Sequence, residues 1–117
     1  MSTTARGRAA EQQAADYLER QGYQVLGRNW RNRWCELDIV ARRDRTVHFV
    51  EVKYRANTQY GLAAEYISRD KIQRLMRAAL AWNQAHSYAG AYQIDVITLE
   101  GDLDAPANVH LPNAISG

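Results

Sequence analysis

Two acids and a lysine stand in this sequence in a pattern that suits hydrolysis of a phosphate ester. Asp38 lies in the segment Trp34 to Arg42, and Glu51-Val52-Lys53 lies in the segment Thr46 to Tyr54. Both segments read as β-strands, the second rich in β-formers at Val47, Phe49, Val50 and Val52. The polar stretch Arg43-Asp44-Arg45-Thr46 between them predicts a hairpin. Alternation puts Glu36 and Asp38 on one face of the first strand, and Val47, Phe49, Glu51 and Lys53 on one face of the second. A turn about Asp44-Arg45 then sets Asp38 opposite Glu51, Glu36 opposite Lys53, and Val40 opposite Phe49. Carboxylates directly across a ladder repel, and apolar neighbours raise the cost. A cation between them removes it. Mg²⁺ or Mn²⁺ is the natural candidate, because hard cations bind through one or two carboxylates plus water and phosphate oxygens. Lys53, on the same face, can hold a phosphate oxygen or the attacking water, and cation and lysine together would offset charge developing on phosphorus. The plainer reading is a solvated strand face with Glu36 and Lys53 as a cross-strand ion pair.

The elements that must position these groups are legible by periodicity. Ala9 to Gln21 reads as a helix whose face carries Ala10, Ala14, Tyr17, Leu18 and Gln21, with Gly22 as its stop. Glu11 flanks that face, where its carboxylate could look along the edge of whatever the helix covers. Tyr23 to Trp30 reads as a further strand. Ser68 is an expected N-cap, with Asp70 in the first turn, for a helix carrying Ile72, Leu75, Met76, Ala79 and Trp82 on one face and Arg69, Arg74 and Arg77 away from it. Tyr92 to Leu99 reads as a strand. Pro106 and Pro112 predict an irregular or edge-like tail from about residue 100. The order is α-β-β-β-α-β, an α/β domain with a mixed sheet flanked by helices, and residues 1–117 read as a single domain.

Charge is unevenly distributed. Residues 1–77 hold all 15 basic residues and nine of the 13 acids, a net of +6; residues 78–117 hold four acids and no base. That is the footprint of a polyanion-binding face. Thirteen of the bases are arginine, and the two lysines are Lys53 and Lys71. Arg28-Asn29-Trp30-Arg31-Asn32-Arg33-Trp34 interleaves bases with aromatics. Its arginines can grip phosphates and a tryptophan can stack on an unpaired base, or the tryptophans can pack in the core with the arginines in solvent. Lys71, Arg74 and Arg77 are either a solvated helix face or a phosphate-contacting rim. Asp95, beside Ile94 and Val96, is expected first as a structural partner for an arginine and second as a support for the site.

Other chemistries find no footing. A single cysteine, Cys35, allows no internal disulfide or cysteine-based zinc site, and it reads as a buried thiol. His48, His86 and His110 have no metal-ligand spacing; His48 alternates away from the acidic face and reads as surface or packing. Ser2, Ser68, Ser87 and Ser116 sit in no nucleophile elbow, and no Gly-rich phosphate loop is present. No apolar run is long enough to span a bilayer, and the N-terminal segment predicts no secretory signal, so a cytoplasmic protein is expected.

Asp38, twelve intervening residues and Glu51-Val52-Lys53 resemble the PD-(D/E)xK nuclease signature. Glu11, Asn29 with Trp30, Glu36-Leu37-Asp38-Ile39-Val40, Phe49-Val50-Glu51-Val52-Lys53-Tyr54-Arg55, Gly61, Lys71 and Asp95-Val96 together resemble the YraN family of small bacterial endonuclease-like proteins, over about residues 6 to 99. The resemblance implies a restriction-endonuclease-like fold, similar to archaeal Holliday-junction resolvases. It implies Glu11, Asp38 and Glu51 as metal ligands, and Asp38, Glu51 and Lys53 as the catalytic set. It carries with it a metal-dependent endonuclease acting on DNA, branched or damaged, with RNA as an alternative substrate and a homodimer by analogy with resolvases. Arg28, Arg31, Arg33, Arg55, Lys71 and Arg74 are the expected nucleic-acid contacts, with Glu36 and Asp95 in support. The competing function is a non-catalytic nucleic-acid-binding module on a nuclease fold. One departure stands out: the family usually has glycine just before the Glu-x-Asp segment, and Cys35 puts a side chain there.

Overall fold

Hydrophobic alternation along the central strands decides the architecture. In the computed structural model, which describes residues 3–55, 68–101 and 107–111, successive residues of the third strand face different helices. Val50 packs with Ala10, Ala14 and Leu18 of the first helix, α1 (Thr3–Arg20), and Phe49 packs with Leu75, Ala79 and Trp82 of the second, α2 (Arg69–Ala85). A sheet buried on both faces between two helices follows from that pattern.

The sheet has five strands in the order β1 (Gln24–Arg31), β2 (Glu36–Arg43), β3 (Thr46–Arg55), β4 (Ala91–Glu100) and β5 (Ala107–Leu111). Neighbours are antiparallel except β3 and β4, which are parallel and joined through α2. This is a restriction-endonuclease-like mixed sheet in the order α-β-β-β-α-β, with one further strand at the end. β5 occupies the sheet edge beside β4, in the region where the prolines predicted an irregular or edge-like tail. Pro106, Pro112 and Gly61 lie outside the described residues.

Local signals set the element ends. Gly22 has φ 88, and its N–H donates to Glu19 O at 3.1 Å while the Tyr23 N–H donates to Leu18 O at 2.9 Å. These two bonds close a Schellman motif, which needs the left-handed conformation that glycine adopts without strain. Ser68 caps α2, its Oγ accepting from the Lys71 N–H at 3.1 Å. The β2–β3 hairpin turns on Asp44 and Arg45, with Asp44 at φ 56.

The faces of the helices differ from the sequence reading at two places. Gln21 lies beyond α1 and is exposed. Met76 is 47% exposed, and Ala78 is buried in its stead beside Leu75, Ala79 and Trp82. Ala78 and Ala79 let the helix approach Phe49 and Val47 closely; a methionine turned inward would hold it off the sheet.

Candidate active site

Asp38 and Glu51 meet where β2 and β3 stop pairing. The predicted register holds at Val40–Phe49 and Ile39–Val50, and the ladder ends there. Beyond it the Asp38 side chain takes over: the Val52 N–H donates to Asp38 Oδ2 at 2.9 Å. The expected pairing of Glu36 with Lys53 does not form, because the β2–β3 ladder ends at Ile39–Val50; on its other edge Glu36 pairs with Arg31 of β1. The first residues of β2, Glu36 and Leu37, are therefore laddered to β1 alone.

Glu51 is buried, only 6% exposed. It accepts an ion pair from Lys71 Nζ at 3.1 Å, which α2 delivers onto the same face. Burial, first, and the Asp38 carboxylate, second, push the Glu51 pKa up to about 7, against the pull of Lys71. Asp38 is also raised, chiefly by burial, and is held back by the Val52 N–H and by the hydrogen bond it shares with Glu51. The two carboxyls therefore share one proton more readily than they carry two charges. Sequence reasoning placed Lys71 on a phosphate-contacting rim or a solvated face; its contact with Glu51 depends on how the α2 crossover lands on β3.

Glu11 stands across a cleft of about 380 Å³ that it lines with Arg8, Asn29, Arg31, Glu36 and Asp38. Its side chain is hydrogen-bonded by Asn29, and its pKa is raised, chiefly by burial. Asn29 lies between the register pairs Arg28–Ile39 and Trp30–Leu37, opposite Asp38, with φ 51. Asparagine tolerates that left-handed conformation better than most residues. Glu11 and Asp38 thus share a cleft, and Asp38 and Glu51 share a hydrogen bond. Among the described residues, no three His, Cys, Asp or Glu side chains converge closely enough to form a ready-made metal cage. The donor set does suit a hard divalent cation held by few protein ligands: Asp38 and Glu51 are two carboxylates, largely buried, whose mutual repulsion a cation would relieve. Lys53 is half-buried on the Glu51 face of β3 and makes no ion pair among the described residues.

A second cleft, of about 440 Å³, opens between the β1–β2 connection and α2. Arg31, Arg33, Lys71, Arg74 and Arg77 line it, together with Trp34, Cys35 and Glu36. Arg31 and Glu36 line both clefts, so the basic cleft lies beside the acidic one. Arg28 is turned elsewhere: its Nη1 donates to Gln12 Oε1 at 2.8 Å on the α1 side. The Arg55 side chain lies outside the described residues. Trp30 is half-buried against the α2 layer, whereas Trp34 stands 80% exposed. Cys35 is half-buried.

Asp95 is fully buried, with Oδ2 2.8 Å from His48 Nδ1 and Oδ1 accepting from Gln93 Nε2 at 2.8 Å. Its partner is a histidine, not the arginine first expected, and His48 is buried rather than at the surface. Asp95 pairs in register with Val50, so it lies on the α1 face of the sheet, opposite to Glu51.

Residues 10–99 match the family model described as Uncharacterised protein family UPF0102. The chain belongs to the UPF0102 family, which is the YraN family. A UPF0102 protein of Vibrio cholerae serotype O1 is 45% identical over 96 residues, covering 80% of this chain and 79% of the relative. One from Pseudomonas putida is 44% identical over 102 residues, 86% of this chain and 82% of the relative. One from Trichlorobacter lovleyi is 40% identical over 112 residues, 92% and 87% respectively. The UPF0102 match spans Glu11, Asn29, Asp38, Glu51, Lys53 and Lys71. No helix among the described residues is long and apolar enough to cross a membrane.

Proposed function

We propose that this UPF0102 protein is a divalent-metal-dependent nuclease that hydrolyses phosphodiester bonds in DNA, with branched or damaged DNA as its preferred form. The observation that carries the reading is the hydrogen-bonded pair of half-buried Asp38 and buried Glu51 beside a basic cleft that Lys71, the partner of Glu51, lines. An acidic pair shielded from water is costly without a counter-cation, and the arginine-lined cleft beside it offers a seat for a phosphate backbone. Asp38 and Glu51 would hold Mg²⁺ or Mn²⁺, with Glu11 available across the cleft. The cation would supply Lewis-acid stabilisation of the phosphate and a more acidic water. Lys53 orients the nucleophile, and Arg31, Arg33 and Arg74 hold the backbone on the approach. Such a protein works where bacterial DNA is, in the cytoplasm. Symmetric cutting of two strands would require two copies, and sedimentation of a dimer at micromolar concentration would support that mode.

The test is a panel of duplex, single-stranded and branched DNA, with RNA counterparts, incubated with Mn²⁺ or Mg²⁺. Cleavage should depend on metal and disappear in Glu51→Ala and Lys53→Ala. Wild type and both variants behaving alike across the panel would sink the nuclease reading.

One observation favours a second reading, a non-catalytic nucleic-acid-binding module. Lys71 already neutralises Glu51 at 3.1 Å, so the pair has a resident cation. In that case Mn²⁺ binding through Asp38 and Glu51 should be undetectable by calorimetry, while DNA binding persists with a steep salt dependence.

A further inference from the structure

The basic cleft carries at its mouth an aromatic ring that the fold does not use. Trp34 is 80% exposed, whereas Trp82 is buried and Trp30 packs against the α2 layer. The segment bearing it is nonetheless held in place. Asn32 Oδ1 accepts from the Trp34 N–H at 2.8 Å and from the Cys35 N–H at 2.7 Å, and the Asn32 N–H donates to Cys35 O at 2.9 Å. The Arg33 guanidinium lies 5.5 Å from the centre of the indole. Arg31, Lys71, Arg74 and Arg77 line the same cleft, which shares Arg31 and Glu36 with the adjacent Asp38 cleft.

A large ring held out in solvent beside a row of cations matches one ligand chemistry closely. Single-stranded nucleic acid offers phosphates at regular spacing and bases with free π-faces. A continuous duplex offers the phosphates, but its bases are stacked on one another and show the ring only their edges. We infer that Trp34 and the basic cleft bind an unpaired stretch of DNA, with the indole stacked on one base and the arginines on the phosphates. The strand then runs towards Asp38 and Glu51, so the substrate is DNA with unpaired nucleotides beside the scissile bond, as at a flap, gap or branch. The direction of the strand rests on the nuclease reading; the binding itself does not.

The test uses the full chain in EDTA, with a fluorescein-labelled dT oligonucleotide of ten nucleotides and a blunt duplex of equal length, at low salt. Wild type should bind the single strand more tightly than the duplex and show quenched tryptophan emission. Trp34→Ala should weaken single-strand binding roughly ten-fold, within the range that loss of one stacked base produces, and Trp34→Phe should restore most of it. The same Trp34→Ala change should leave duplex affinity nearly unaltered. Arg74→Ala should weaken both ligands and flatten the salt dependence. Equal single-strand affinity of wild type and Trp34→Ala, or no oligonucleotide binding by wild type at low salt, overturns the inference. The two readings separate cleanly. If Trp34→Ala loses single-strand affinity but no DNA is cut with any metal, the stacking site stands and the nuclease falls. If wild type cuts DNA and Trp34→Ala binds as wild type does, the reverse holds.

Discussion

The Val52 N–H donates to Asp38 Oδ2 at 2.9 Å, so the β2–β3 ladder ends on a carboxylate instead of a carbonyl. One bond thus terminates the pairing of the hairpin and fixes Asp38 beside Glu51. A charged acceptor makes the stronger bond, and Asp38 combines it with the hydrogen bond it shares with Glu51.

Removing that acceptor should loosen the end of β3. Asp38→Ala should be less stable than Asp38→Asn by about 1–3 kcal/mol, because the asparagine oxygen can still accept from Val52 and alanine leaves the N–H without its partner. Urea denaturation measures the difference. Hydrogen exchange at the Val52 amide should accelerate in the alanine variant alone; equal protection in both would show that the ladder end does not depend on residue 38.

Glu51 gives the protein a definite pH dependence. Its folded pKa of about 7 lies above the ordinary value of 4.5, so the folded state binds more protons than the unfolded state between these values. The resulting stability is fully present below about 4.5 and is lost as pH rises through about 7, by up to about 3 kcal/mol. Asp38, also raised, acts in the same direction. Metal-free wild type should therefore be more stable to urea at pH 5 than at pH 8, and Glu51→Gln should remove most of that slope. If the nuclease reading holds, Mn²⁺ at pH 8 should recover the lost stability in wild type and not in Glu51→Gln.

The two lysines should separate by their effect on that titration. Lys71 sits 3.1 Å from Glu51 and pulls its pKa down. Lys71→Met should move the Glu51 titration upward in carboxyl NMR, and by more than Lys53→Met does. A larger effect at Lys53 would mean that the strand lysine, rather than the helix lysine, is the counter-charge in solution.

His48 should prove structural. Its Nδ1 lies 2.8 Å from the fully buried Asp95. His48→Ala strips one partner from a buried carboxylate and opens a cavity, which should cost about 2–4 kcal/mol. Because the pair lies on the α1 face, metal affinity and any cleavage by the folded fraction should be unaltered. A selective loss of metal binding at full stability would instead place Asp95 among the supports of the site.

How much could be read without coordinates depends on the range of the interactions. Sequence alone determined the succession of elements from α1 to β4, the hairpin register at Val40 and Phe49, the Ser68 cap and the Gly22 stop, because pleat, turn and cap chemistry act over a few residues. It therefore brought Asp38 to Glu51. Where an outcome turned on two elements distant in the chain, alternation was silent. The landing of Lys71 on Glu51, the turning of Arg28 to Gln12, the burial of Ala78 in place of Met76, and the emergence of Trp34 while Trp30 packed were decided only by the tertiary structure. Each follows from how α1 and α2 settle on the two faces of the sheet. That placement is set by the fit of side-chain volumes across the layers, and no local period encodes it.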